Sequence, residues 1–382
     1  MKACMAMLLV STLASCAIVP VTPPDLTSLL ADTLFAAPAR AIRAEDVFAP
    51  SSAMQAYLAT RIAGRARISG ARVGLFEALR DDLKLDYDAS FTRNAAEAFE
   101  ARSGNCLSLV ILTAAFAKQL NLPVRFQSVY GFNTWSRTGD LAFFSGHINL
   151  RLDAGGATRP LGREADEPMI IDFLPPEELR GQYARSVSEQ TVLAMYMNNR
   201  AAEALTLAQL DAAYWWARQA AITAPAFLAA YNTLGVIYQR HGNPKQAELA
   251  FNYALLREPS NTLALSNLAR LLGEQGRVAE AQQLQQRLAQ IEPYPPFYFF
   301  DQGLAAMKSG DFEGAKAWFG KELARTPYDS QLHFAMSIAN LQLGELKQAR
   351  KQMTLAMENS TSASSHEMYA AKLGHLKALQ IH

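Results

Sequence analysis

The feature of this sequence that most restricts its fold is a spacing of 34 residues that recurs through the C-terminal half. Three independent series of residues keep this interval. They are Pro225, Pro259, Pro293 and Pro327; Gly242, Gly276, Gly310 and Gly344; and Ala213, Ala247, Ala281, Ala315 and Ala349. Self-similarity at a fixed period of about 20 to 50 residues is typical of repeat proteins. We therefore expect a stack of similar units in this half of the chain.

The residue types at these positions indicate that each unit is a hairpin of two helices. Proline ends the second helix because it cannot continue a helical hydrogen-bond ladder. Glycine fits the turn between the helices, where the backbone is left-handed. The best copy reads Tyr231-x2-Leu234-Gly235-x2-Tyr238, then Ala247-x3-Phe251, then Pro259. This pattern resembles the tetratricopeptide repeat, a helix-turn-helix unit of the same length.

Five repeats are predicted, at about 194–227, 228–261, 262–295, 296–329 and 330–363, within a repeat region of 191–363. A capping helix is expected over 364–382, where Met368, Leu373 and Leu376 have helical spacing. The resemblance implies a concave face that binds a protein or peptide. The alternative is that the array only holds the N-terminal half or a second copy of the chain.

The first 16 residues have the organisation of a signal peptide, with a positive start and an apolar run before Leu13-Ala14-Ser15-Cys16. That stretch resembles the lipobox of bacterial lipoproteins. The resemblance implies that Cys16 is lipidated and that the protein is periplasmic. With Ala17 after the cysteine, it implies an anchor in the outer membrane. Residues 17–49 are expected to form a tether and an N-terminal helix, since residues 17–24 contain three prolines. An ordinary secretory signal or an uncleaved anchor is the alternative.

Charge argues against nucleic acid as a partner. The sequence has 36 basic and 35 acidic residues, a formal net charge of +1, whereas phosphate binding requires a basic excess on at least one face. No segment outside the leader reaches the roughly 18 apolar residues that a membrane helix needs.

Cys106 is the one thiol expected to remain after Cys4 is removed with the leader and Cys16 is acylated. It follows Gly104-Asn105, and Asn105 is predicted to cap an apolar helix that runs to about Leu120. At the first turn of a helix, the unsatisfied N–H groups and the helix dipole favour the thiolate. The position is therefore suited to a nucleophile, although a lone cysteine there can also be a small buried hydrophobe.

Three strands are predicted after this helix, at 124–132, 141–152 and 169–174. Because side chains alternate between the two faces of a strand, His147 and Asn149 share a polar face, and Asp172 is expected on the same side if the strands pair. The other five histidines lie in the repeats or the tail. His147 is therefore the candidate base for Cys106, with Asp172 orienting the imidazole.

These residues carry a second resemblance. The stretches Gly104-Asn105-Cys106-Leu107-Ser108, Asn121-Leu122-Pro123-Val124-Arg125-Phe126, Gly146-His147-Ile148-Asn149 and Ile171-Asp172-Phe173 are similar to the transglutaminase-like superfamily. The likeness covers about residues 50–190 and implies a papain-like fold with Cys106 as nucleophile, His147 as base and Asp172 as orienting acid. We add Asn105, Trp135 and Asn149 as candidates for the cleft. The predicted class is thus α+β, with a papain-like transglutaminase-type domain followed by an all-α solenoid.

The expected function is cysteine-dependent acyl transfer on a protein or peptide. Because no tryptophan precedes Cys106, whereas crosslinking relatives use one upstream of the cysteine, we favour peptidase-like or amidase-like hydrolysis through a thioester. One alternative is an inert adaptor lipoprotein whose repeats bind a partner, and another is a protein-crosslinking transglutaminase. Close ligand pairs such as Cys-x2-Cys or His-x3-His are missing, so neither a metal nor another cofactor is expected.

Overall fold

The computed structural model describes residues 26–138, 141–153, 168–174 and 183–378. The leader with Cys16 and most of the predicted tether lie outside these ranges, as does the last part of the predicted capping segment. Among the helices in these ranges, none is long and apolar enough to cross a membrane.

Short helices fill the first part of the chain. They are α1 (Leu26–Leu29), α2 (Ser52–Tyr57), α3 (Ala63–Ser69) and α4 (Ala71–Glu77), with wide π-helical turns at Leu58–Ile62 and Ala78–Leu83. Gly70, with a φ of 83°, separates α3 from α4.

The predicted helix start after Asn105 is confirmed. Helix α5 (Ala95–Ala101), which precedes it, begins with a capping box between Asn94 and Glu97. Helix α6 (Cys106–Gln119) is capped by Asn105, whose side chain accepts a hydrogen bond from the Ser108 N–H. Residues 107–117 of α6 are all buried, so this helix lies in the centre of the N-terminal half. The short parallel strands β1 (Asp86–Tyr87) and β2 (Ser103–Gly104) precede it.

A four-stranded antiparallel sheet follows α6. Its strands are β3 (Val124–Thr138), β4 (Leu141–Leu152), β5 (Met169–Ile171) and β6 (Tyr183–Val187), in the order β5-β4-β3-β6. The prediction was wrong on three points: β3 continues beyond residue 132, β5 ends at Ile171 rather than at residue 174, and β6 was missed. A register shift between Val129 and Asn133 lets β3 continue past the point where its alternation breaks. The residues of β6 are mostly exposed, so this edge strand has no apolar alternation to detect.

Ten helices form the five repeats, in pairs along the chain. The pairs are α7 (Glu189–Thr206) and α8 (Leu210–Thr223); α9 (Leu228–Arg240) and α10 (Pro244–Arg257); α11 (Thr262–Glu274) and α12 (Val278–Ile291); α13 (Tyr298–Ser309) and α14 (Phe312–Leu323); and α15 (Ser330–Gln342) and α16 (Leu346–Glu358). Helix α17 (Ala363–Ala378) lies where a capping helix is predicted. The first pair begins five residues before the predicted repeat start at 194, since Ser188 caps α7.

The turn glycines behave as predicted. Gly242, Gly276, Gly310 and Gly344 have φ values of 86°, 77°, 81° and 75°. Repeat one has Ala208 at this position, and its φ is 56°. The left-handed turn is therefore kept even where an L-residue has to adopt it.

Within a repeat, a small residue on the first helix faces a large residue on the second helix. An added Cβ on Gly235 would lie 2.3 Å from Cε1 of Phe251, and one on Gly303 would lie 2.3 Å from Cε1 of Phe319. Both phenylalanine side chains are fully buried. Each glycine therefore makes room for an aromatic ring on the second helix of its own repeat.

The N-terminal segment packs on the first two repeats. Phe35 stacks on Tyr214 with ring centroids 4.0 Å apart and 6° between the planes. Asp32 pairs with Arg218 at 2.7 Å, and the Tyr238 hydroxyl donates to the carbonyl of Leu29 at 2.8 Å. One continuous core of buried residues consequently runs from Leu29 through α6 and the sheet into the repeats.

Candidate functional site

The sheet brings His147 and Asp172 together, as the side-chain alternation predicts. His147 lies on β4, and Asp172 directly follows β5. The imidazole Nε2 lies 2.8 Å from Oδ1 and 2.9 Å from Oδ2 of the carboxylate. The two side chains are 1% and 8% exposed, so this pair is shielded from water.

Asp172 is held as a carboxylate by its neighbours. Burial alone would raise the pKa of Asp172, but the hydrogen bonds from His147, the Leu174 N–H and Asn149 outweigh it and lower the pKa below the ordinary 3.8. Asn149 donates from Nδ2 at 2.8 Å, and Leu174 donates from its backbone at 2.9 Å. The carboxylate is thus fixed from three directions.

The contact with Asp172 also orients the imidazole ring. When the neutral ring donates its Nε2 proton to the carboxylate, Nδ1 carries the lone pair on the opposite edge of the ring. In this arrangement the His147–Asp172 pair can accept a proton at Nδ1, and the carboxylate stabilises the resulting positive charge.

Two buried amide oxygens lie next to this pair. Asn149 on β4 is opposite Gln127 on β3, and Asn149 Oδ1 and Gln127 Oε1 are buried without a hydrogen-bond partner in the described part of the chain. Since Asn149 donates its Nδ2 to Asp172, its oxygen must face away from the carboxylate. The position is therefore suited to a hydrogen-bond donor.

Cys106 is the first residue of α6 and is half-buried. Helix α6 packs against β4, the strand of His147. The first turn is held by Asn105, whose Oδ1 accepts from the Ser108 N–H at 2.9 Å and whose Nδ2 donates to Thr92 Oγ1 at 2.9 Å. The predicted capping role of Asn105 is confirmed by these contacts.

A loop before α5 ties this turn to the repeats, and no sequence pattern reveals it. The N–H of buried Thr92 donates to Glu203 of α7 at 2.6 Å, and the N–H of Arg93 donates to Ser108 Oγ at 2.8 Å. The N–H of Ala89 in the same loop donates to the carbonyl of Thr361, between α16 and α17, at 2.8 Å. The loop therefore contacts both ends of the repeat region.

Glu203 differs from the surface carboxylates around it. Burial raises its pKa above the ordinary 4.5, against the lowering effect of the hydrogen bond from Thr92 and the charge of Arg200. Its partner Thr92 is more than a hundred residues away, so there is no local signal by which the contact could be predicted.

The structure does not describe the side chains of Trp135 and Cys16, the two remaining site residues predicted from the sequence. The backbone of Trp135 lies on β3 opposite Phe144, and its side chain is outside what the structure describes. The same holds for the whole of Cys16.

A row of polar side chains joins the first helices of repeats two and three. Asn267 donates to Asn232 at 2.9 Å, and Gln239 donates to Glu274 at 2.6 Å. Both bonds connect α9 with α11. They form a polar surface on the first helices, next to exposed Ser266 and Arg270.

Comparison with known proteins supports the repeats. Residues 232–296 and 300–363 match the family model described as tetratricopeptide repeat. No curated protein matches the sequence. The comparisons do not show a transglutaminase-like domain, and the papain-like architecture is not confirmed, so that part of the resemblance stays a hypothesis.

Solved structures with similar chains cover about half of this one. PilF of Pseudomonas aeruginosa is 23% identical over 50% of this chain and 94% of its own, with a TM-score of 0.29. A thermophilic tetratricopeptide protein of Thermus thermophilus is 18% identical over 47% and 98%, with a TM-score of 0.31. Yeast Tom70 is 14% identical over 49% and 40%, with a TM-score of 0.35. Such low scores carry no conclusion about partners. The 34-residue period, the helix pairs and the family match together show that the C-terminal half consists of tetratricopeptide repeats.

Proposed function

We propose that this protein is an adaptor whose repeats bind a partner polypeptide. The supporting observation is the polar surface that Asn232, Asn267, Gln239 and Glu274 form across the first helices of repeats two and three. Tetratricopeptide repeats generally bind proteins, and amide and carboxylate groups on such a surface can hydrogen-bond an extended backbone. The N-terminal half serves in this proposal as a rigid part of the scaffold, since it shares a core with the repeats.

Site-specific photo-crosslinking tests this proposal. A photoreactive amino acid at Ser266, which is exposed on α11, is expected to capture a polypeptide in native cells. The matched control is Gln286, exposed on the second helix α12. The same captured band is expected to disappear when Asn232 and Asn267 are both changed to alanine. Equal capture from both positions, or capture that ignores the double change, would contradict binding at this surface.

We also propose that the chain is a lipoprotein of the periplasm, anchored through Cys16 in the outer membrane. Support comes from Leu13-Ala14-Ser15-Cys16 alone. Metabolic labelling with an alkyne palmitate is expected to mark the wild-type protein and the Cys4→Ser variant. Labelling that survives in Cys16→Ser would place the acyl chain elsewhere.

A second candidate function is cysteine-dependent acyl transfer, supported by the shielded His147–Asp172 pair. In this mechanism the Cys106 thiolate attacks the carbonyl carbon of an amide. The C–N bond breaks, the amine leaves with a proton from His147, and a thioester remains. Water then gives a proton to His147 and cleaves the thioester, which releases an acid and restores the Cys106 thiolate beside the protonated His147. The N–H of Cys106 at the start of α6 is a candidate donor to the developing oxyanion.

Alkylation kinetics separate this candidate from an inert scaffold. If Cys106 is an activated thiolate, iodoacetamide modifies it rapidly near pH 7, and His147→Ala slows the reaction at least tenfold. Asp172→Asn is expected to slow it less, since the imidazole remains. A rate that does not respond to His147→Ala indicates a structural cysteine. Incorporation of a primary amine into a glutamine-containing protein would instead favour the crosslinking alternative.

A further inference from the structure

Arg137 on β3 contacts the fourth repeat. Both terminal guanidinium nitrogens of Arg137 donate to the carboxylate of Asp301 on α13, Nη1 at 2.6 Å and Nη2 at 3.0 Å. The guanidinium carbon lies 4.5 Å from the ring centroid of Phe297. Asp301 and Phe297 thus hold the arginine by a two-pronged ion pair and an aromatic face.

These two contacts are specific to arginine rather than to any positive charge. A planar guanidinium can donate two parallel hydrogen bonds to one carboxylate while its face lies on a ring, whereas a lysine ammonium cannot. Phe297 has a left-handed backbone with φ of 66°, which is uncommon for a bulky residue. This conformation, directly before α13, accompanies the contact with Arg137.

An acidic cavity adjoins the arginine contact. It has a volume of about 240 Å³ and shares Phe297 with that contact. Three carboxylates line it, from Glu292, Glu322 and Asp329. Glu322 already accepts from the N–H groups of Phe299 and Phe300 and pairs with Arg325, and Asp329 caps α15 by accepting from the Leu332 N–H. The cavity therefore offers room beside Phe297 for a second side chain of a partner segment, with Glu292 as an additional carboxylate on its wall.

The Arg137–Asp301 contact is open to solvent, so a competing segment can reach it. The side chains of Arg137 and Asp301 are 35% and 47% exposed, and solvent-exposed ion pairs contribute little to stability because water and salt screen them. A partner segment that brings an arginine and also uses the adjoining cavity can compete with one hairpin arginine, despite the high local concentration of the hairpin.

We propose that Asp301 and Phe297 form an arginine-binding site on repeat four, which Arg137 occupies within the same chain and which an arginine-containing partner segment takes over. This inference rests on the proposed binding of a polypeptide by the repeats and names the chemistry of that partner. Displacement of Arg137 would release this end of β3, whose neighbour β4 carries His147 opposite Val129.

Peptide binding to the full chain tests the proposal. The probe is a fluorescein-labelled hexapeptide of alternating glycine and arginine, with a glycine–lysine peptide of equal charge for comparison, measured by anisotropy at low salt. Arg137→Ala is expected to tighten binding of the arginine peptide about fivefold, because a competing ion pair and cation–π contact are removed. The matched control is Arg125→Ala, which removes the same charge from β3. Arg125 pairs with Asp153 and not with Asp301. Adding Asp301→Asn to Arg137→Ala is expected to abolish the gain.

Three results would overturn the proposal. They are equal effects of Arg137→Ala and Arg125→Ala, affinity that does not respond to Asp301→Asn, and equal binding of the lysine peptide. If any of them occurs while crosslinking from Ser266 persists, the arginine site is wrong and polypeptide binding by the repeats still stands. If the photoreactive residue at position 266 captures no polypeptide when the rest of the sequence is wild type, the adaptor proposal itself is contradicted.

Discussion

Gly235→Ala tests how closely the helices of one repeat approach each other. The new Cβ would lie 2.3, 2.6 and 2.7 Å from Cε1, Cδ1 and Cζ of Phe251, whose ring is fully buried. Carbon atoms pack at about 3.5 to 4 Å, so the ring or the helix has to move by about 1 Å. Overpacking of this kind costs about 1 to 3 kcal/mol, and alanine recovers about 0.5 to 1 kcal/mol of helix propensity. We expect a net loss of about 0 to 2.5 kcal/mol in the free energy of unfolding, centred near about 1 kcal/mol.

The assay is urea unfolding of the full chain, followed by far-UV circular dichroism. Gly273→Ala is the matched control, because Gly273 also lies in a first helix but an added Cβ meets nothing within 4 Å. This control is expected to stabilise the protein by about 0.5 to 1 kcal/mol. In a Phe251→Leu background the Gly235→Ala loss should shrink to near zero. If Gly235→Ala instead behaves like Gly273→Ala, close packing is not the reason for the glycine.

Three further changes have defined outcomes. Ala208→Gly should raise the urea midpoint, by about 0.5 to 1 kcal/mol in stability, because Ala208 has φ of 56°; a lower midpoint would contradict this. Glu203→Ala should destabilise the protein by about 1 to 3 kcal/mol, because it leaves the Thr92 N–H unpaired. Glu203→Gln keeps an acceptor without a buried charge and should have nearly the wild-type stability in thermal unfolding at pH 7. Equal losses in the two variants would refute the role of the hydrogen bond. Asp172 has a folded-state pKa below 3.8, so its stabilisation is complete above that pH and is lost as the pH falls below it. The gap in urea midpoint between wild type and Asp172→Asn should therefore shrink as the pH falls below about 3.8; a gap that stays the same or widens below that pH would overturn the assignment.

The repeats could be predicted almost completely because their physics is local. A turn glycine, a terminating proline and a small residue opposite a large one each act within about 34 residues, and each leaves a fixed letter in the sequence. The four positive-φ glycines confirm the turns. Ala208 shows the limit of prediction from spacing, since the left-handed turn is present although the position is not a glycine.

The candidate site was predictable in part. Strand alternation predicts that His147 and Asp172 share a polar face if their strands pair, and the structure shows that β4 and β5 do pair. The strand Tyr183–Val187 was missed, since an exposed edge strand needs no apolar face. Contacts such as Thr92 with Glu203 join residues far apart in sequence, and they depend on how the two halves pack rather than on any local spacing.

The loop at residues 88–93 has a mechanical consequence. Each stacked repeat contacts only its neighbours, so the two ends of such an array can move apart through small changes at each interface. Here the loop ties Glu203 in the first repeat and Thr361 after the last one to the same few residues. A force that stretches the array would load these hydrogen bonds. The bond from the Arg93 N–H to Ser108 would transmit that force to the first turn of α6. Tension along the array would therefore act on the backbone next to Cys106.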